Sequence, residues 1–346
     1  MFSDTGVSTS NFTLNLSNFN TSIVTNMASM FAYSGVSNLI LGDNFNTSNV
    51  ILMDNMFANM GSDSLILNLG NHFDTSNVTN MEQMFMGTGW SNSSFSLNLG
   101  SKFNTSKVVN MSDMFYSVGY GNVNFILNLG NQFNTINVTN MSGMFRQSAQ
   151  KGIKLGNHFH TSNVKDMSWM FEDIGYGFNN FNINLGTNFN TINVTNMSHM
   201  FSSLGRRNNK FTLNLGSHFH TSNVEDMSVM FMATASGANT LTLNLGPNFN
   251  TTKVTNMYLM FADLASGSVN ANLNLSLFNI SNVRNLKNMF VGAGIRNLTL
   301  GVGWNYSTYL PTSGMFEYSA IKNIISAPDA IKNYNFTADG ITPTFK

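Results

Sequence analysis

Residues 189–201 read F-N-T-I-N-V-T-N-M-S-H-M-F, and close variants of this phrase recur along the chain. The Met-Phe dipeptide that ends the phrase marks the copies, at Met30, Met56, Met84, Met114, Met144, Met170, Met200, Met230, Met260, Met289 and Met315. Successive copies are 26 to 30 residues apart. A period of about 20–50 residues is typical of solenoids and related arrays, in which each unit packs on its neighbours. The sequence therefore predicts a stack of about 11 turns.

Two periodicities within each copy predict a strand and a short helix. In residues 95–99 apolar side chains alternate with polar ones, as in a strand with one buried face. Residues 194–201 place Val, Met, Met and Phe at i, i+3, i+6 and i+7, which indicates one face of a short helix. Thr191 precedes the helix where an N-cap hydroxyl is expected, and Thr occupies this position in nine copies in all. Gly100 and its equivalents end the strands.

We therefore predict an α/β repeat in which each turn of 26–30 residues holds one short parallel strand and one short helix. Strands are expected near Leu14, Leu39, Leu67, Leu97, Leu127, Ile153, Ile183, Leu213, Leu243, Leu273 and Leu298, with a weaker twelfth at 321–325. Residues 1–327 are predicted to be a single solenoid that opens in mid-repeat, since Met1-Phe2 is itself a Met-Phe dipeptide. Residues 328–346 lose the pattern and are predicted to be a cap or linker.

The composition excludes several classes of function. The 346 residues include 16 basic and 16 acidic side chains, 57 Asn and no Cys, and only 9% of the residues are charged. Zero net charge without a long basic run gives no electrostatic basis for binding nucleic acid or an anionic membrane. The absence of Cys excludes disulfides and thiolate chemistry. No apolar run approaches the roughly 20 residues of a membrane span, and the first ten residues do not resemble a signal peptide.

Candidate catalytic and metal sites are few. His158 and His160 form one pair and His218 and His220 another, but repeat alignment places the pairs two turns apart. One Zn²⁺ needs ligands about 2 Å from the metal, so the two pairs cannot share an ion. The paired carboxylates at 172–173 and 225–226 have no aligned His or nucleophile, and no phosphate-binding loop is present. The sequence predicts neither an enzyme nor a cofactor.

The loops between the Met-Phe dipeptide and the next strand suggest a binding edge. These loops are short in some copies and longer in most, and insertions confined to one face often mark the binding face of a solenoid. The candidate partner-binding residues, which we term the long-loop edge, are Trp90, Tyr120, Tyr176, Phe178, Arg206 and Arg207. Aromatic and Arg side chains are enriched at recognition hot spots. In the competing interpretation, the aromatic side chains fold back as lids over the core.

The outer face of the strands is a second candidate surface. Its outward pairs are Thr13/Asn15, Ile66/Asn68, Ser96/Asn98, Ile126/Asn128, Asn182/Asn184, Thr212/Asn214, Thr242/Asn244 and Asn272/Asn274. Stacking in register would build rows of Asn and Thr with amides bonded along the stack. The simpler interpretation is a stabilising, solvated ladder, and the alternative is contact with ordered water or glycans.

The phrase F-N-T-S-N-V-T-N-M-S-x-M-F, with its L-x-L strands, resembles the repeat of the BspA-type leucine-rich-repeat surface proteins of bacteria, which include mycoplasma proteins. The resemblance is carried by residues 19–31, 73–85, 189–201 and their equivalents, about nine-tenths of the chain. It implies a right-handed leucine-rich-repeat-like solenoid without catalytic residues, displayed outside the cell for adhesion or host contact.

The expected function is non-enzymatic adhesion or interaction with a protein or glycan of a host or neighbouring cell. The expected location is the cell surface or outside the cell, with a signal and an anchor absent from the chain as given. One rival hypothesis is a structural fibre or surface-layer element that self-associates end to end. Another is binding of ice or an ordered surface through the Asn/Thr rows.

Overall fold

The computed structural model describes residues 1–346 except residues 8, 10, 62–63, 91–93, 131, 149–150, 179–180, 182, 187, 269 and 306–309. The chain divides into two compact units. Unit 1 comprises Met1–Val164 and Asn184–Asn188, and unit 2 comprises Lys165–Ile183 and Phe189–Lys346. Each unit is a parallel β-solenoid, and the chain contributes about 11 turns in all.

The strands pair in parallel with their equivalents in the next turn. In unit 1, β1 to β4 form one sheet and β5 and β6 another: Phe12–Asn15, Val36–Ile40, Ile66–Asn68, Ser96–Asn98, Leu127–Asn128 and Ile153–Lys154. In unit 2, β7 pairs with β8, and β9 to β12 form a four-stranded sheet: Lys210–Asn214, Thr240–Asn244, Ala271–Leu275, Ile295–Leu300, Asn323–Ile325 and Thr344–Phe345. The predicted strands are thus confirmed at most positions, including the weak one at 321–325, whereas residues 183–186 form no strand.

The predicted helix in each turn is wrong. The side chains of Val194, Met197, Met200 and Phe201 are fully buried, as expected. The backbone that carries them is instead a run of tight turns, in which His199 has a left-handed φ of 60°. An α-helix cannot continue through such a residue. The spacing i, i+3, i+6 suits successive three-residue turns at least as well as a helix, so the pattern alone does not separate the two.

Hydrogen bonds explain why turns replace the helix. The N–H groups of Met227, Val229 and Phe231 donate to carbonyl oxygens of the next copy at 2.8–3.0 Å. The N–H of Met230, between them, donates to the carbonyl of Met227 at 3.3 Å. The backbone N–H groups thus alternate between a bond to the next copy and a bond within their own turn. The hydrogen bonds from residue i to residue i−4 that define an α-helix are therefore not formed. The leucine-rich-repeat-like α/β fold is accordingly corrected to a β-solenoid, and the one α-helix among the described residues is α1, Asp329–Lys332.

The repeated Thr is not a helix cap. Its buried hydroxyl donates instead to a backbone carbonyl of the next copy at 2.6–2.8 Å, at Thr21, Thr47, Thr75, Thr105, Thr135, Thr191, Thr221 and Thr251. At Thr191 the hydroxyl oxygen also accepts the N–H of His220 at 2.7 Å. The Thr column therefore links each turn to the next inside the core.

Stacked aromatic rings fill the core of each unit. In unit 1 the Phe of Met-Phe forms a near-parallel column with ring centroids 5.3–5.9 Å apart, at Phe2, Phe31, Phe57, Phe85, Phe115 and Phe145. In unit 2 the equivalent column has spacings of 5.3–5.8 Å, at Phe171, Phe201, Phe231, Phe261, Phe290 and Phe316. These distances are typical of offset-stacked aromatic pairs. The Met residues fill the space beside the rings, as predicted.

The abundant Asn residues hold the corners of each turn. At three positions per copy, the side-chain oxygen accepts the backbone N–H two residues later, as Asn244, Asn250 and Asn256 do in one copy, at 2.8–3.2 Å. A fourth Asn donates its amide to a carbonyl of the preceding copy, as Asn223 and Asn282 do at 2.8 and 2.6 Å. Asn and Asp side chains favour such turns because they bond their own backbone.

The last residues of the chain pack on unit 2. The N–H of Phe316 donates to a carboxylate oxygen of Asp339 at 2.9 Å, and the Tyr334 hydroxyl donates to the same oxygen at 2.6 Å. The ring of Phe336 lies 5.1 Å from that of Phe316. In the part of the chain that the structure describes, no helix has the length and apolar character needed to cross a membrane.

Substitution of Thr221 by Val should destabilise the fold by about 1–3 kcal/mol. The side chains have nearly the same shape, but Val removes the buried Thr221 hydroxyl, which bonds both the carbonyl and the N–H of Asn250. Urea unfolding of the full chain measures the change. The exposed Thr242→Val substitution on the outer strand face is the matched control and should change stability by less than about 0.5 kcal/mol. Equal effects of the two substitutions would contradict a stabilising role for the Thr column.

Candidate functional site

The long-loop edge is shaped by a Gly and a Phe in each copy. The Gly before the edge residue has a left-handed backbone, and a Phe ring six residues later occupies the space of the missing Cβ. The pairs are Gly89 with Phe95, Gly119 with Phe125, Gly175 with Phe181, and Gly205 with Phe211. In two later copies Ala replaces the Gly, and a side chain smaller than Phe follows six residues later. These pairs are Ala235 with Leu241 and Ala265 with Ala271. The close approach of the Phe ring to this Gly fixes the position of the backbone directly before the edge residue.

Unit 1 carries Trp90 and Tyr120 in successive copies. Trp90 is 62% exposed, and Tyr120 is half-buried. The two loops are joined by a hydrogen bond from the N–H of Gly119 to the carbonyl of Thr88 at 3.0 Å. Of the edge residues in unit 1, Trp90 is therefore the exposed one, on a loop that is bonded to its neighbour.

Unit 2 brings together Tyr176, Arg206 and Arg207. The guanidinium carbons of Arg206 and Arg207 lie 5.6 and 5.4 Å from the ring centroid of Tyr176, within the range of cation–π contacts. Arg206 also lies 3.8 Å from a carboxylate oxygen of Asp173. Tyr176 and Arg207 are exposed, and Phe178 is half-buried beside them. This arrangement is the densest group of aromatic and charged side chains on the described part of the edge.

The predicted edge therefore occurs as two groups, one in each unit. In the competing interpretation, the edge aromatics fold back over the core. The rings that pack beneath the long loops belong instead to four buried Phe residues, namely Phe95, Phe125, Phe181 and Phe211. Trp90 and Tyr176 project into solvent instead.

The outer strand face is exposed, as expected, but its amides bond differently from the prediction. Most strand-end Asn side chains turn back onto their own chain, as Asn68 and Asn98 do toward Gly70 and Gly100. A ladder of amides does join Asn272, Asn297 and Asn323 in unit 2, with bonds of 2.6 Å. Asn182, which is predicted on this face, lies outside the described residues. The continuous amide rows are thus confirmed only at one end of unit 2.

The His residues occupy corners of the turns. His158 and His218 are exposed, and His160 and His220 are half-buried. The N–H of His160 donates to the Thr135 hydroxyl, so this corner keeps the link to the neighbouring copy. Among the described residues, no group of three or more His, Cys, Asp or Glu side chains could hold a metal ion.

One charged group was missed by the sequence reasoning. Arg146 lies over the ring of Tyr116, with its guanidinium carbon 5.2 Å from the centroid, in the next copy of unit 1. Asp113 lies nearby, and burial raises the pKa of its carboxyl, although a hydrogen bond from Gln83 and the charge of Arg146 oppose the rise. Tyr116 and Arg146 occupy the same position in consecutive copies, so a repeat alignment could have revealed the pair.

Substitution of Asp113 by Asn should remove a pH dependence of stability. A carboxyl with a raised pKa in the folded state contributes stability below its unfolded pKa, and this stability is lost as the pH rises through the folded value. The Asp113→Asn variant should therefore gain stability relative to the parent chain between acidic and neutral pH. Urea unfolding of both chains from pH 3 to pH 7 measures the difference. A difference that stays constant with pH would show that Asp113 is not destabilised by burial.

Substitution of Gly205 by Ala should destabilise the loop through collision with the Phe211 ring. Gly216 has a similar φ of 73° but open space around its missing Cβ, so Gly216→Ala is the control for backbone strain alone. We expect Gly205→Ala to cost at least about 1 kcal/mol more than Gly216→Ala. Adding Phe211→Leu, which recreates the Ala-Leu pair of residues 235 and 241, should recover part of this cost. Strictly additive unfolding free energies in this cycle would contradict the pairing.

The repeats match a known family over most of the chain. Five overlapping segments, residues 1–96, 63–176, 120–242, 146–268 and 203–327, match the family described as "Mycoplasma protein of unknown function, DUF285". No curated protein and no solved structure matches the chain significantly. The match establishes the repeat family without establishing the BspA-type identity that the phrase resembles. Since the matched segments together span residues 1–327, the chain belongs to the DUF285 family of mycoplasma proteins.

Proposed function

We propose that the chain is a non-enzymatic interaction module that binds a protein or glycan partner through the long-loop edge. The observation that carries this proposal is the exposure of Trp90 in unit 1 and of Tyr176 in unit 2, where Tyr176 lies beside Arg206 and Arg207. Aromatic and Arg side chains are enriched at binding hot spots, and a loop that is already ordered loses little backbone entropy on binding. The edge therefore combines exposed aromatic side chains with positive charge, whereas only 9% of all residues are charged.

The rest of the surface supports this choice of site. Side-chain oxygens of the corner Asn residues accept backbone N–H groups of their own turn, as at Asn68, Asn190 and Asn196. These oxygens are therefore occupied within the fold. Only 9% of the residues are charged, so few other positions can provide electrostatic contacts. Side chains that depart from the repeated phrase are the best candidates for a specific role, and the edge residues are among them.

Structural roles of the carboxylates support a non-enzymatic function. Asp226 accepts the N–H of Ser228 at 2.7 Å and the amide of Asn256 at 3.4 Å. Asp173 lies beside Arg206. Both carboxyl groups thus have contacts that hold the fold or the edge.

We extend the proposal to adhesion at the cell surface or outside the cell. The family description as mycoplasma proteins and the resemblance of the phrase to BspA-type surface repeats both support this setting. A host or neighbouring cell would then provide the protein or glycan. The rival hypotheses make distinct predictions, since a self-associating fibre would sediment as a growing oligomer with rising concentration. Binding of ice through the outer strand face would give thermal hysteresis.

Replacing the edge aromatics should weaken partner binding. The triple variant Trp90→Ala, Tyr120→Ala, Tyr176→Ala should lose at least about 10-fold in affinity, because aromatic hot spots each contribute on the order of 2 kcal/mol. Binding of the labelled chain to an array of glycans and to cultured epithelial cells measures the affinity.

Tyr318→Ala provides the matched control, since Tyr318 is 81% exposed but lies away from the long-loop edge. It should bind as the parent chain does. A triple variant that binds like the parent, with an unchanged thermal unfolding curve, would place the site elsewhere. A parent chain that binds neither cells nor glycans would contradict the proposed function.

A further inference from the structure

We propose that Arg207, with Tyr176 and Arg206, forms a subsite for the carboxylate or sulfate group of an anionic glycan. The subsite lies wholly within unit 2. The proposal names the class of ligand for one part of the long-loop edge and so rests on the proposed function.

The backbone of Arg207 is strained where other copies are not. Its φ is +58°, in the left-handed region that disfavours residues with a Cβ. The same position is Gly in the other described long copies, Gly121, Gly177, Gly237 and Gly267, with φ between 73° and 91°. Gly adopts this conformation without steric cost. Other non-Gly residues with a left-handed φ recur in the turns, so this conformation alone does not mark a site. Arg207 nevertheless replaces the Gly that suits this position better, and it adds a long cationic side chain there.

The charge of Arg207 is available to a ligand. Arg207 is exposed, and among the described residues it forms no ion pair, whereas Arg206 lies 3.8 Å from the carboxylate of Asp173. Arg206 and Arg207 are the only two consecutive basic residues in the sequence. The face of Tyr176 lies beside both guanidinium groups and restricts their motion. A positioned guanidinium binds carboxylate and sulfate groups through paired hydrogen bonds.

Gly and Ser residues surround the position of Arg207 in the next two copies. In the following two copies, the equivalent position is Gly237 and then Gly267, and a Cβ at Gly237 would lie 3.5 Å from the Arg207 side chain. The N–H of Arg207 donates to the carbonyl of Ser236, and the N–H of Gly237 to that of Ser266, so the backbones run side by side. The half-buried side chains of Ser236 and Ser266 add hydroxyl groups next to these backbones.

These groups suit a sugar. A pyranose ring presents hydroxyl groups that bond with main-chain groups and Ser hydroxyls, and a charged substituent would reach Arg207. An acidic peptide would pair with the same guanidinium group, so it is the competing ligand in the test. The neutral chain as a whole lacks the extended basic surface that a nucleic acid requires.

Calorimetric titration of the full chain with four probes tests the proposal. The probes are 3′-sialyllactose for the carboxylate, a heparin-derived tetrasaccharide for sulfate, lactose as the uncharged parent sugar, and a polyglutamate peptide. We expect one of the two anionic sugars to bind at least about 10-fold more tightly than lactose. Arg207→Gln should remove this preference, and Arg296→Gln, which neutralises an exposed Arg on β10, should retain it.

The Arg207→Gly variant separates binding from stability. It restores the residue of the other copies, so its Tm should rise by about 2–4 °C while the preference for the anionic sugar is lost. A variant that simply misfolds would lower Tm, so loss of binding cannot be ascribed to unfolding.

Three outcomes would overturn the proposal. The first is no preference for either anionic sugar in a parent chain that still binds cells or other glycans through the edge, which would leave the proposed function intact. The second is unchanged binding by Arg207→Gln. The third is binding of polyglutamate alone, which would assign the subsite to an acidic peptide.

Discussion

Hydrogen bonding between successive copies is the constraint on which the rest of each unit depends. Alternate N–H groups of the turn-rich segment point to the next copy, and the Thr hydroxyl does the same from inside the core. Because these bonds join identical positions, the lengths of strand and turn segments can change very little between copies. Additional residues are found in the loops before the strands, where insertion does not interrupt the hydrogen bonds between successive copies. The geometry of the backbone thus decides both the core and the location of the edge.

The unusual composition follows from the same constraint. A helix satisfies its backbone hydrogen bonds internally, whereas a series of tight turns leaves N–H groups at the corners without a backbone acceptor. A side-chain amide oxygen two residues earlier accepts these N–H groups. Asn provides that oxygen without charge, and Asp replaces it at some corners, as Asp166 and Asp226 do. Like charges stacked at about 5 Å in successive copies would repel each other, so the uncharged side chain is favoured at a repeated position.

The sequence predicted the period, the copies, most strands and the buried residues, because these depend on apolar patterning. It did not predict the turns, since spacing at i, i+3 and i+6 buries Val194, Met197 and Met200 equally well in a helix or in turns. Left-handed residues such as Val229 and Leu259 give no sequence signal of their own. The edge residues were found by position in the copy, whereas the contact of Tyr176 with Arg207 depends on side-chain direction, which patterning does not specify.

Two kinds of pairing in the long loops differ in what they imply for the evolution of the chain. Gly205 and Phe211 belong to the same copy, so duplication or loss of a whole copy carries the pair intact. The contact of Arg207 with Tyr176 joins two adjacent copies and exists at one junction. Unequal recombination that inserts a copy between them would preserve the solenoid and separate the Arg from its aromatic ring. Insertion of a copy at this junction would therefore remove the proposed subsite while leaving the repeated hydrogen bonds of the solenoid in place.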